Sequence, residues 1–200
     1  MNPNESEEPE LPERSFTLSI PIPQAVEIFL EKFAKAFSQS MAEAQMLEHA
    51  IKTAIVKDIK VFAEESKQIS YLEVLEKVTL GQAKDITFGN AFKSKHKAIS
   101  QCVGFYDVVK MYWHGLNRAE SELGVLFKDA VTRRNQIAHK LLAQIVLGEI
   151  SDVDAIVYLE KSAVLFLELR QLVAAADWLS SRMGGIATDG RSLPRAKATG

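Results

Sequence analysis

Residues 133–140 read Arg-Arg-Asn-Gln-Ile-Ala-His-Lys. On a helix, Asn135 and His139 are four residues apart and stack on one face. Arg134 comes five residues before His139, about 140° around a helix of 3.6 residues per turn. Its long side chain can still swing a guanidinium toward the imidazole. Ile137, Ala138 and Leu141 point elsewhere and suit a buried stripe, so the polar residues share an exposed side while the apolar ones anchor the helix.

These residue types suit phosphodiester chemistry. A histidine can take a proton from a ribose hydroxyl, or return one to a leaving oxygen, near neutral pH. An arginine offers a planar, permanently charged fork to phosphoryl oxygens, most useful as charge builds in the transition state. Asn135 can orient the imidazole or the substrate. No acidic cluster adjoins the turn to hold a divalent metal, so the expectation is a metal-independent reaction without cofactor, in which an RNA 2′-hydroxyl attacks its own phosphate. By spacing alone the bland reading is the stronger one. One Arg and one His on a helix are common solvated residues, with Arg133 and Lys140 sharing their exposed face.

Other polar groups carry weaker signals. His49, His96 and His114 lie far apart, and no pair has the spacing of a helical metal site. Glu43 and Glu48 would supply a carboxylate only if their helix neighbours the motif; a solvated face is the simpler reading. Phe105, Tyr106, Tyr112 and Trp113 can stack bases, but at helical spacing they suit a core or dimer interface. Lys93, Lys95, His96 and Lys97 form a small basic knot at an expected helix start that can bind phosphate; charges favouring a loop are the bland reading, and the helix dipole slightly disfavours cations there. Gly81 and Gly89 are too sparse for a phosphate loop, and no Walker, dinucleotide or serine-elbow motif occurs.

The elements that must position the motif are helical. Gln24 to Ser66 contains neither Gly nor Pro and divides most naturally near Ser38-Gln-Ser40, giving two helices. The second carries Ala44, Leu47, Ala50, Ile51, Ala54, Ile55, Ile59 and Phe62 at helical period. A short helix is expected from a Ser70 cap through Val78, stopping at Gly81, and then a loop over 81–92. Long helices follow over about 93–116 and about 120–147, the second ended by Gly148. Ser151, with Asp154 three residues on, resembles a capping box. The last helix runs to about Met183 and stops at Gly184-Gly185. The fold class expected is all-α, a bundle of four to five main helices.

Composition agrees with one globular domain. The chain has 200 residues, 47% hydrophobic and 25% charged, with net charge −2, so a polyanion must be met by a local patch. The segment 1–15 is acidic, with Glu5, Glu7, Glu8, Glu10 and Glu13 among prolines, and is expected to be a disordered arm. Phe16 to Pro23 alternates like a strand, but Pro21 and Pro23 confine it to an edge or covering segment. Residues 184–200 are expected to form a flexible tail. Cys102 is the only cysteine, which excludes an intrachain disulfide. The charges that interrupt residues 155–179 argue against a membrane span, and the acidic N-terminus is unlike a signal peptide; a cytoplasmic location follows as an expectation.

The string Arg134-Asn135-Gln136-Ile137-Ala138-His139 resembles the signature of the HEPN superfamily: Arg, a polar residue that is often Asn, a few more residues, then His. The resemblance is sharp over about eight residues; over the rest, roughly 24–183 of the expected single domain 16–183, it consists only of helix count and motif position. It implies a helical bundle with the motif on a late helix, and a homodimer in which two motifs line one RNA cleft. It also implies an endoribonuclease of a bacterial toxin–antitoxin or antiviral defence setting, with an antitoxin or activator protein as a further partner. Arg134 would then bind the scissile phosphate, His139 would do acid–base work and Asn135 would assist, while Arg133 and Lys140 would add RNA affinity. Some members of the superfamily are non-catalytic interaction or nucleotide-sensing modules, and that reading stands as the alternative.

Overall fold

The computed structural model of the chain describes residues 23–187, with side chains through Arg182. The acidic arm, the extended segment up to residue 22 and the tail beyond 187 lie outside the described residues. Among those described, every regular element is helical. In chain order they are α1 (Gln24–Phe62), α2 (Glu65–Glu76), α3 (Leu80–Thr87), α4 (Ser94–Ser100), α5 (Phe105–Gly115), α6 (Glu120–His139), α7 (Leu141–Val146) and α8 (Asp152–Ala187). A helical bundle it is, built from eight pieces rather than four to five main helices.

Two long helices set its length. At 1.5 Å per residue, the 39 residues of α1 and the 36 of α8 each span more than about 50 Å. Glu43 meets Arg170 and Lys57 meets Asp177, so residue number rises together along both and the helices run parallel. The expected division of α1 at Ser38-Gln-Ser40 does not occur. Ser40 is fully buried and continues the stripe Ala36, Ala44, Leu47, Ile51 and Ile55. Ala36, Ser40 and Ala44 put three small side chains at successive turns of the buried face, and that packing outweighs the modest helix propensity of serine. The helix ends at Phe62, and α2 starts at Glu65, before the expected Ser70 cap.

Two further sequence expectations change in α3. Gly81 does not stop a helix; it lies in the first turn of one, where Gln82 Oε1 accepts from the Thr79 N–H at 2.9 Å in a capping box. A Cβ on Gly81 would stand 3.3 Å from Val131 Cγ1, so this glycine permits the close crossing of α3 over α6. Leu80, Ala83 and Ile86 bury the inner face of what the sequence suggested was a loop.

The expected long helix over 93–116 is two helices, because Asp58 of α1 intervenes. Its Oδ2 accepts the backbone N–H groups of Gly104 at 2.7 Å and Phe105 at 2.8 Å, capping α5 from another helix. Phe105, Val109 and Trp113 then turn inward. Similarly, the helix expected over 120–147 breaks at Lys140, where φ is −127° and ψ is −34°. Leu141, fully buried, pins the new start of α7. Gly148 ends α7 with φ +71°, which glycine adopts without a Cβ penalty. The Ser151–Asp154 pair caps α8 as its spacing suggests, the Asp154 N–H donating to Ser151 Oγ at 3.1 Å. The stop at Gly184-Gly185 is overrun: α8 continues to Ala187, since glycine weakens a helix interior by about 1 kcal/mol without forbidding it.

Candidate functional site

Helix α6 carries the whole Arg134–His139 string and ends on its histidine. Its contacts with α8 pair Gln136 with Tyr158 and Arg133 with Ser162, so residue number falls on one as it rises on the other, and the two are antiparallel. Buried Leu123, Phe127, Ala130 and Ile137 hold α6 to the core. The motif therefore sits at the end of the bundle where α8 begins.

The turn is fixed from beneath by a chain of side-chain hydrogen bonds that spacing did not reveal. Tyr158 donates its hydroxyl to Gln136 Oε1 at 2.9 Å, and Gln136 Nε2 donates to Gln144 Oε1 at 3.2 Å. The second bond crosses the break at Lys140 and ties α7 to α6. Burial pushes the Tyr158 phenol above its ordinary range, the Arg133 charge partly opposing it, so the phenol is a proton donor to Gln136. Arg133 is committed to this support. Its Nε donates to Asp129 Oδ2 at 2.8 Å, its Nη1 lies 3.4 Å from Ser162 Oγ, and its guanidinium stacks 5.2 Å from the Tyr158 ring centroid.

On the outer side the arrangement differs. Asn135, His139 and Lys140 are exposed, and Arg134 is half-buried. The direction of the Arg134 Cα–Cβ bond follows the Leu123–Phe127–Ala130 face, as the helical period dictates. Its Nη1 nevertheless donates to Asn135 Oδ1 at 3.2 Å. Asn135 in turn shares its helix face with His139 one turn later, and Lys140 follows at the end of the helix.

The carboxylates that the sequence offered to this surface are occupied elsewhere. Glu48 pairs with Lys52 at 2.9 Å within α1. Glu43 Oε2 stands 3.1 Å from Arg170 Nη2, without the alignment of a hydrogen bond. His49, His96 and His114 stay apart, and among the described residues no three His, Cys, Asp or Glu side chains converge as a metal site would require. Burial raises the half-buried Cys102 thiol above its ordinary range, which reduces its thiolate fraction. Phe105 and Trp113 are core, and Tyr106 packs 4.3 Å from Phe88. A groove of about 410 Å³ runs between α1 and α8 past Lys32, Lys35, Val153 and Val157, but no motif residue lines it.

No family profile, curated protein or solved structure matches this chain. The functional reading therefore rests on the motif and its geometry. Among the described residues no helix is long and apolar enough to cross a membrane.

The surface next to the motif has one further property. Leu142, Val146 and Leu147 follow His139 within eight residues and are largely exposed, as is Val153 at the start of α8. Large apolar side chains gathered at one place mark a contact surface more often than chance exposure does. No periodicity argument separates them in advance from the buried Leu141 and half-buried Ile145.

Proposed function

We propose that this chain is a HEPN-like endoribonuclease that cleaves RNA by attack of the 2′-hydroxyl, without a metal cofactor. The observation that carries the reading is the Arg134–Asn135 hydrogen bond, which ties a phosphate-binding fork to a side chain that shares its helix face with His139 one turn on. In the reaction the 2′-oxygen forms a bond to phosphorus and the bond to the 5′-oxygen breaks. The products are a 2′,3′-cyclic phosphate and a 5′-hydroxyl end. Arg134 neutralises the charge gathering on the non-bridging oxygens. His139 exchanges a proton with the attacking or the departing oxygen. Lys140 adds affinity for the backbone, and Arg133 adds less, because Asp129 already holds its charge.

The exposed apolar side chains of α7 support a homodimer. The groove between α1 and α8 is lined by none of the motif residues. Two copies meeting through Leu142 and Val146 would bring two motifs to one cleft and let two imidazoles divide the proton transfers. A bacterial toxin–antitoxin or antiviral role, in the cytoplasm and with an antitoxin or activator as partner, is the setting that such an activity fits. The alternative is a non-catalytic HEPN-like interaction or nucleotide-sensing module, and the same apolar surface supports it, since it can seat another protein.

The test is incubation of the purified protein with total RNA and with transfer RNA in a chelator, beside His139→Ala. The reading expects chelator-resistant cleavage that the variant loses. RNA binding without cleavage by the wild type would favour the interaction module, and metal-requiring cleavage that survives His139→Ala would overturn the assignment of this turn.

A further inference from the structure

The corner between α3 and α4 presents an aromatic ring and three lysines that nothing in the fold uses. Phe92 is 91% exposed. Its neighbours in sequence show that this is not a loose loop. Gly89 turns the chain with φ +72°, the Asn90 N–H donates to the Asp85 carbonyl at 2.8 Å, and Ala91 is buried. Ser100 Oγ donates to the Ile86 carbonyl at 2.7 Å, tying α4 back onto α3. The ring is therefore held outward by an anchored backbone, while nearby Phe88 packs against Tyr106 and Phe127 in the core.

Charge along this segment of the chain is one-sided. Lys93, Lys95 and Lys97 are exposed, and among the described residues none forms an ion pair. No Asp or Glu occurs from residue 86 to residue 106, although the chain has 26 of them in 200 residues. Helix stability does not account for these lysines. Lys93 and Lys97 are four apart, where like charges repel, and the start of a helix disfavours cations. A bound polyanion relieves both costs.

We infer that the Phe92–Lys97 corner is a second contact for the RNA substrate, where an unpaired base stacks on Phe92 and the lysines neutralise the flanking phosphates. The inference rests on the ribonuclease reading for the identity of its ligand. Its own content is where the strand runs away from the cleavage site. An exposed ring between lysines suits a single strand, because every base has a face to stack and every nucleotide a phosphate to pair. An acidic protein segment would use the lysines but would gain little from the ring.

The experiment measures binding of a dye-labelled single-stranded oligouridine by fluorescence anisotropy over a salt series. The protein is the full chain carrying His139→Ala, so that the probe stays intact. Adding Phe92→Ala should weaken binding about 5- to 150-fold, the usual worth of one base stack. Phe92→Tyr should restore it. Lys93→Ala/Lys95→Ala/Lys97→Ala should lower the slope of log affinity against log salt by about 2, for three single-strand phosphate contacts. All these side chains are exposed, and circular dichroism checks that the variants fold. If both variants bind as the His139→Ala parent does while wild-type protein cleaves RNA, the corner plays no part and the ribonuclease reading stands. If the lysine variant loses affinity but Phe92→Ala does not, stacking is refuted. If the parent binds no RNA and the wild type cleaves none, the ribonuclease reading falls and this inference with it.

Discussion

Arg134 donates a hydrogen bond from Nη1 to Asn135 Oδ1 at 3.2 Å, between side chains that start on different faces of the same helix. The direction of the Arg134 Cα–Cβ bond belongs to the buried stripe, and Asn135 stands on the exposed strip above His139. Adjacency in sequence makes the bond possible, and Arg134 is half-buried. In the proposed reading the polar residue directly after the arginine steadies the phosphate-binding fork.

His139→Ala should cut RNA cleavage by about 10²–10⁴-fold, the usual worth of a positioned proton-transfer group. The variant should keep its thermal midpoint within a few degrees, because His139 is exposed at the end of α6 and makes no side-chain hydrogen bond among the described residues. Gel analysis of a defined RNA, with the ends checked for 2′,3′-cyclic phosphate, reads the outcome. Undiminished cleavage would remove His139 from the mechanism.

Arg134→Lys should also fail substantially, since an ammonium keeps the charge and loses the two-pronged geometry. Asn135→Ala should lower cleavage while leaving both Arg134 and His139 in place, because the guanidinium loses its anchor. Asn135→Asp should restore the anchor as an ion pair but neutralise the fork, so cleavage stays low. Single-turnover rates across the three variants check this, and an Asn135→Ala protein as active as wild type would leave the bond without a catalytic role.

Leu142→Glu combined with Val146→Glu should shift a dimer to a monomer in light scattering and depress cleavage with it. Both positions are largely exposed, so the fold should persist by circular dichroism. A dimer that survives the double change would place the interface elsewhere.

Asp58 governs a pH effect on stability. Burial raises its carboxyl above the ordinary 3.8, with the N–H groups of Phe105 and Gly104 opposing that rise. The folded state therefore keeps a proton on this group at pH values where the unfolded chain has released it. Its contribution is full below 3.8 and is lost as pH rises through the higher folded value. Asp58→Asn keeps an acceptor for both N–H groups and removes the charge, so urea unfolding should show a flatter dependence on pH just above 3.8. Asp58→Ala leaves two inward N–H groups unpaired and should cost about 2–4 kcal/mol. An unchanged pH slope in the Asn variant would show that another group sets it.

The sequence by itself determined a helical bundle, the inner face of α1 from Ala44 to Ile59, the cap at Ser151 and the helical placing of the Arg134–His139 string. Those features are local. A stripe recurs at 3.6 residues, a cap acts over three, and Asn135 and His139 meet over one turn. Helix ends that depend on distant partners were out of reach. Asp58 cuts one expected helix in two from more than forty residues away, and α1 runs unbroken through Ser40, which the fold buries completely. Gly81, a stop by propensity, became a contact point because Val131 comes within 3.3 Å of where its Cβ would be. The same limit applied around the motif. Arg133 and Arg134 are equivalent as letters, yet Asp129, Tyr158 and Ser162 claim the first and leave the second free to turn toward Asn135. Only tertiary packing could decide that, because a charge is available to a substrate when its own protein has not already satisfied it.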